Sequence, residues 1–171
     1  ATRGYWEKLV AQIYTGHEEF TPGNPNTATV YNSEKHDVAW LQISYLKESY
    51  HTMSQHFVLG WMAEALYSSK NFSQNYTATM MQAGDFSPTP HSKLMYNEAF
   101  RANQFVAAGI KPIYVINDMF HLRSEFYGFL PIFPIRKNMQ GEAYYGKAFS
   151  RAEYMGELSV VCQLPFGAIS A

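Results

Sequence analysis

The chain has 171 residues, a length that suits one domain, and we predict a single domain spanning residues 1–171. Aromatic residues make up 16% of the sequence and charged residues also 16%, against roughly 25% charged residues in typical soluble domains. The formal net charge is −1 and no basic block occurs, so the sequence lacks the electrostatic footprint of a nucleic-acid-binding protein.

Apolar and polar residues alternate with a period of two along most of the chain, a pattern that predicts a nearly all-β fold. The predicted strands, in chain order, are 4–15, 27–31, 38–48, 56–68, 104–116, 119–130, 150–164 and the closing GAISA at 167–171. A long irregular connection, about 70–103, interrupts them, and connections of that length are usually functional or disordered. We therefore expect an antiparallel meander of about eight strands with one long loop.

Two of the predicted strands carry ionised side chains on one face. The strand 150–164 places Arg151, Glu153 and Glu157 on one side and residues such as Tyr154 and Leu158 on the other. The strand 119–130 adds Arg123 and Glu125. A dry protein core is a costly place for so many charges, because each unpaired ion loses its hydration.

Two arrangements avoid that cost. In a transmembrane β-barrel the charges line a wet lumen, where Arg123 and Glu125 would meet Arg151, Glu153 and Glu157 as a charge ladder. In a one-sided soluble sheet the same charges would face bulk water. Strand length favours the barrel, because 150–164 exceeds both the ~5 to 6 residues usual in soluble strands and the ~9 to 11 that cross a membrane.

The second half of the chain resembles a known family over residues 38–171. The segments that carry the likeness are NYTATMMQAGDFSPTPHSKLMYNEAFRANQFVAAGIKPIY, HLRSEFYGF and AYYGKAFSRAEYMGELSVVCQLPFGAISA. They resemble the C-terminal barrel of patatin-like phospholipases of Gram-negative bacteria, which belongs to the bacterial surface-antigen superfamily. The resemblance implies part of a β-barrel in the bacterial outer membrane, in contact with membrane lipid, that anchors or exports a patatin domain.

The same resemblance implies that residues 70–103 form a loop folded back into the barrel lumen. The family's loop carries an Arg-Gly-aromatic tip whose arginine docks on an acidic residue of the wall. Here Phe100-Arg101-Ala102 keeps the arginine and replaces the glycine, and Glu125 in Glu125-Phe126-Tyr127-Gly128 resembles the acidic strand motif. Arg101 and Glu125 are thus the expected docking pair, whereas Thr2-Arg3-Gly4-Tyr5 fits the tripeptide but lies too early in the chain.

No catalytic residue, metal site or cofactor is expected in this chain. Patatin domains need a Gly-x-Ser-x-Gly nucleophile, which the sequence lacks, and the six histidines show no metal-site spacing. The chain itself is therefore expected to be non-catalytic, while the parent protein would be a lipid acyl hydrolase. An incomplete barrel has open edges, so we expect pairing with the rest of the same polypeptide or with a second copy. The alternative function is a soluble small β-barrel or sandwich that binds an apolar ligand or a protein partner.

Overall fold

The computed structural model describes residues 4–20, 34–73, 75–164 and 167–170, and this part of the chain is all-β apart from one short helix and two 3-10 turns. The elements in chain order are β1 (Gly4–Phe20), β2 (Glu34–Ser54), β3 (Phe57–Ser68), α1 (Tyr76–Gln82), β4 (Gly84–Asp85), β5 (Arg101–Ala102), β6 (Gln104–Val115), β7 (Phe120–Pro131), β8 (Ile135–Lys137), β9 (Ala143–Tyr145), β10 (Glu153–Leu164) and β11 (Gly167–Ser170).

One sheet of seven strands dominates the molecule. Its order is β1-β2-β3-β6-β7-β10-β11, every neighbouring pair is antiparallel, and the sheet curls into a half-barrel. The predicted antiparallel meander is confirmed. The strands form because the period-two alternation gives each of them two chemically different faces, and the pleat then aligns like faces across neighbours.

The structure changes several predicted boundaries. The strand predicted at 38–48 extends over Glu34–Ser54, and the one predicted at 150–164 begins at Glu153. The predicted strand 27–31 and the tripeptide that includes Arg3 lie outside the described residues. The short pairs β4–β5 and β8–β9 and the helix α1 were not predicted, because two- or three-residue strands and a seven-residue helix leave little periodicity to detect.

The connections of the main sheet differ sharply between its two ends. Long segments, 21–33, 69–103 and 132–152, join the strands at one end, which we call the loop end. At the other end, the turn end, the links are only 55–56, 116–119 and 165–166. The helix α1 and the hairpin β8–β9 therefore lie together at the loop end, where the backbone amide of Tyr76 donates to the carbonyl of Gly141.

The connection 69–103 packs on one face of the main sheet, which we call the covered face. The opposite side is the open face. The largest buried cluster joins this connection to the covered face and consists of Met62, Leu66, Phe86, Phe100, Ala102, Phe105, Ala107, Tyr127 and Phe129. The core of the protein is thus on the covered side of the curled sheet, towards its loop end.

Candidate functional site

The open face is apolar and exposed. Ile13, Tyr154 and Leu158 expose 78%, 80% and 67% of their surface. Other exposed apolar residues on this face are Tyr5, Leu9, Leu41, Ile43, Tyr45, Tyr67, Val106, Ile110, Tyr114, Phe126 and Val160. Contiguous apolar patches of this extent are rare on monomeric soluble proteins and mark surfaces that contact protein or membrane.

An ion pair between Glu7 and Lys47 interrupts the apolar surface of the open face. Glu7 and Lys47 lie directly opposite each other in the β1–β2 pair, with 2.5 Å between the Lys47 Nζ and the Glu7 Oε1. The Lys47 ammonium lies 6.0 Å from the ring centroid of Tyr5. The two charges therefore partly neutralise each other within an aromatic surrounding.

The covered face has the opposite character, because it buries ionised groups. Lys111 is only 4% exposed, and its ammonium pairs with the carboxylate of Glu48. The same carboxylate accepts hydrogen bonds from the hydroxyl of Tyr50 at 2.7 Å and from the indole nitrogen of Trp6 at 2.8 Å. Glu48 is partly buried, and its three donors compensate the carboxylate for the hydration that it loses.

A second buried cluster lies on β7. Glu125 is 3% exposed, forms an ion pair with Arg123 and accepts a 2.7 Å hydrogen bond from the hydroxyl of Tyr127. The ring of Tyr127 lies over Gly109, so close that a Cβ at Gly109 would be 2.2 Å from Tyr127 Cδ1. The missing side chain of Gly109 thus makes room for the tyrosine that donates to Glu125.

Of the predicted charge ladder, Arg123, Glu125, Glu153 and Glu157 lie on the covered face, but they do not form the expected pairs across the strands. Glu125 lies opposite Glu157 in the β7–β10 register, and Arg123 lies opposite Ser159. Arg123 pairs instead with Glu125 on the same strand, and Arg151, which precedes β10, pairs with Glu153. Arg123 and Glu125 can meet because side chains two residues apart on one strand share a face.

The expected docking of Arg101 on Glu125 is corrected by the structure, which gives both residues other partners. The Nε atom of Arg101 is 3.5 Å from the carboxylate of Asp85, its neighbour in the β4–β5 pair. A terminal guanidinium nitrogen donates to the carbonyls of Met80, Met81 and Ala83 at 3.3, 3.0 and 3.2 Å. Arg101 therefore caps the last turn of α1, where carbonyls lack helical partners.

The connection 69–103 nevertheless docks on the wall, through different residues. Phe86 is 1% exposed, and its ring centroid is 5.7 to 6.4 Å from those of Phe100, Phe105, Tyr127 and Phe129. A polar contact accompanies this aromatic cluster. The Nδ1 atom of His91 is 3.0 Å from a carboxylate oxygen of Glu157.

The helix α1 fixes the path of this connection at the loop end. Its N-terminus is capped by Asn75, whose side chain accepts a 2.8 Å hydrogen bond from the amide of Ala78. The hydroxyl of Tyr76 donates to Glu98 at 3.1 Å. Burial, followed by this hydrogen bond, raises the pKa of Tyr76 above its ordinary value.

A cavity of about 480 Å³ lies between the connection and β10. Its lining combines Asp85, His91 and Glu157 with Phe86 and Tyr154. Within the described residues no group of three or more His, Cys, Asp or Glu side chains could hold a metal ion. The same part of the chain contains no helix that is long and apolar enough to span a membrane.

Sequence reasoning missed Lys111 and Phe86. Lys111 carries a readable signal, because it shares its parity along β6 with Phe105 and Ala107 and therefore belongs to the charged face. Phe86 carries none, because it lies in the irregular connection, where no period assigns a side chain to a surface.

Comparison with protein-family models, with curated proteins and with solved structures finds no match to this chain.

Proposed function

We propose that this chain is part of the wall of a β-barrel in a bacterial outer membrane, and that it anchors or exports a patatin-like phospholipase domain lying outside the chain. The observation that carries the membrane part is the inverted polarity of the sheet. Apolar side chains such as Tyr154 and Leu158 are exposed on the open face, whereas Lys111 and Glu125 are buried on the other. A sheet with this polarity suits a surrounding of hydrocarbon and an aqueous lumen.

The dimensions of the strands support the same proposal. The strands β3, β6, β7 and β10 have 12 residues each. Such a strand rises about 40 Å, or about 30 Å along the membrane normal at the usual tilt, which exceeds the ~25 Å apolar band of outer-membrane barrels. Long connections at one end and short turns at the other are also typical of these barrels.

Closure of the half-barrel favours the rest of the same polypeptide over a second copy. The seven strands alternate in direction, so β1 and β11 run the same way. A copy rotated about the barrel axis would put its β11 parallel to β1. A copy rotated about an axis in the membrane plane would keep the antiparallel order but place its long connections on the opposite side of the membrane. Strands of the same polypeptide meet neither difficulty.

The enzymatic part of the proposal rests on the sequence resemblance alone. The described residues contribute structure to a lipid acyl hydrolase in this proposal, as an anchor or an export route. They contribute no group to its chemistry.

A nitroxide scan along β10 tests the membrane part. Cysteines replace each residue from 154 to 161, one at a time, in a Cys162→Ser background of the full-length polypeptide in lipid bilayers. We expect collision with dissolved oxygen to be highest at 154, 156, 158 and 160, and collision with a water-soluble nickel chelate to be lowest there. Leu158→Cys and Ser159→Cys are the matched pair, because these neighbours lie on opposite faces at the same depth.

The alternative soluble barrel or sandwich predicts a different pattern. Even-numbered positions would then be either reached by the nickel chelate or closed to both reagents by protein packing. Either result, or the loss of the two-residue period, would refute the proposed membrane wall.

A further inference from the structure

The connection 132–152 carries the strongest surface feature left unexplained by the barrel wall. It contains four cations, Arg136, Lys137, Lys147 and Arg151, and one carboxylate, Glu142. It begins where β7 ends and finishes where β10 begins, so it emerges directly from the last apolar residues of the open face, Leu130 and Tyr154. The described residues at the turn end, by contrast, contain neither lysine nor arginine.

The hairpin β8–β9 turns one face inward and one outward. Ile135 is buried and packs with Met80 and Ala83 at the end of α1, and Ala143 joins them. Arg136 follows Ile135 and lies opposite Tyr144 in the register, so these two exposed residues form the outward face.

Arg136 and Lys147 are two exposed cations of this connection. A Cβ at Gly146 would be 2.8 Å from the Nε atom of Arg136, so the guanidinium occupies the space above Gly146, the residue that precedes Lys147 in the sequence. In the described part of the chain neither Arg136 nor Lys147 has a carboxylate partner, whereas Arg151 is paired with Glu153. Neighbouring cations without a counter-charge attract an external anion.

Exposed aromatic side chains accompany these cations. Phe149 is 59% exposed and is the one described non-glycine residue with positive φ, at 52°. The amide of Phe149 donates to the carbonyl of Ile132 at 2.9 Å, and that of Gly146 donates to the carbonyl of Pro134 at 2.7 Å. The segment is thus fixed with its aromatic side chain turned outward.

We propose that the exposed side chains of this connection, Arg136, Tyr144, Lys147 and Phe149, bind phosphate-bearing lipid headgroups in the membrane leaflet at the loop end. The guanidinium and the ammonium match a phosphate by charge and hydrogen bonding. The aromatic side chains match the region between headgroups and acyl chains. Lipid is the source of the phosphate because the patch continues into the exposed apolar band, which would contact the acyl chains of the same molecule. This inference rests on the proposed membrane wall.

The test measures thermal unfolding of the full-length polypeptide in zwitterionic detergent micelles while phosphatidic acid is titrated in. We expect phosphatidic acid to raise the unfolding midpoint of the wild type, and Arg136→Gln/Lys147→Gln to need roughly 30-fold more lipid for the same effect, equivalent to roughly 1 kcal/mol per cation. Lys93→Gln is the matched control, because Lys93 is also exposed but belongs to the connection over the covered face, and it should respond as the wild type does.

Two further arms identify the ligand. Phosphatidylcholine with the same acyl chains and inorganic phosphate at the same concentration should each leave the midpoint unchanged. The inference is overturned if phosphatidic acid has no effect on the wild type, if Arg136→Gln/Lys147→Gln responds like Lys93→Gln, or if either control ligand reproduces the effect. If the lipid titration fails but the nitroxide scan along β10 keeps its two-residue period, only the proposed lipid-binding surface is refuted. Loss of that period would refute the proposed membrane wall itself.

Discussion

Replacing Phe86 by alanine should release the connection 69–103 from the covered face. Phe86 is 1% exposed and contacts four aromatic rings, so nearly all of its side chain is desolvated by the docked state. Truncation of a buried phenylalanine costs about 3–5 kcal/mol, part of it for the cavity left behind. If this free-energy cost falls entirely on docking of the connection, the population of molecules with the connection undocked rises by roughly two to nearly four powers of ten.

Limited proteolysis measures that population when the connection opens and closes faster than it is cut. We expect cleavage within residues 69–103 of Phe86→Ala to accelerate by at least two powers of ten, with the main sheet left intact. Phe149→Ala is the matched control, because it removes an equal side chain from an exposed position. Cleavage of Phe86→Ala within threefold of this control would refute aromatic docking of the connection.

The remaining predictions concern Gly109, which makes room for the ring of Tyr127, and Arg101, which caps α1. Gly109→Val should expel the ring of Tyr127 and destabilise the protein by about 1–3 kcal/mol in chemical unfolding, whereas Gly16→Val, where no atom lies within 4 Å of the added Cβ, should cost less than half as much. Arg101→Gln should uncap α1, a loss of about 2 kcal/mol for charge-assisted hydrogen bonds, and accelerate cleavage between 76 and 83 about 10- to 100-fold. Glu125→Gln should leave that cleavage rate unchanged. If both variants accelerated cleavage equally, the result would support the Arg101–Glu125 pair and contradict the capping contact.

The sheet and the polarity of its faces are readable from the sequence because they depend on local alternation. A strand that carries Glu153 and Glu157 at one parity and Tyr154 and Leu158 at the other can present only two faces, whatever its neighbours are. The antiparallel pairing of β2 with β3, β6 with β7 and β10 with β11 follows from the short links that join them. The buried position of Lys111 follows from the same rule, applied to β6.

The partners within the candidate site are not readable in this way. Arg101 meets Asp85 because residues 84–85 and 101–102 pair as strands, and it meets α1 because the chain between them folds into a compact unit. Both contacts join residues far apart in an irregular segment, where no repeating pattern constrains the path. The resemblance to a barrel with an inward loop predicted that the connection docks on the sheet. Which side chains make the contact could be seen only in the structure.

The division of the covered face into an aromatic zone and a charged zone bears on permeation. From the loop end inward, Phe105 and Phe129 precede Gly109 and Tyr127, and Lys111, Glu125 and Arg123 follow towards the turn end. In the proposed barrel, a solute that enters at the turn end would meet the charged zone first and then the aromatic cluster around Phe86. In that barrel, passage along this side of the wall would require Phe86 to leave its aromatic pocket, so whatever undocks the connection would also control permeation.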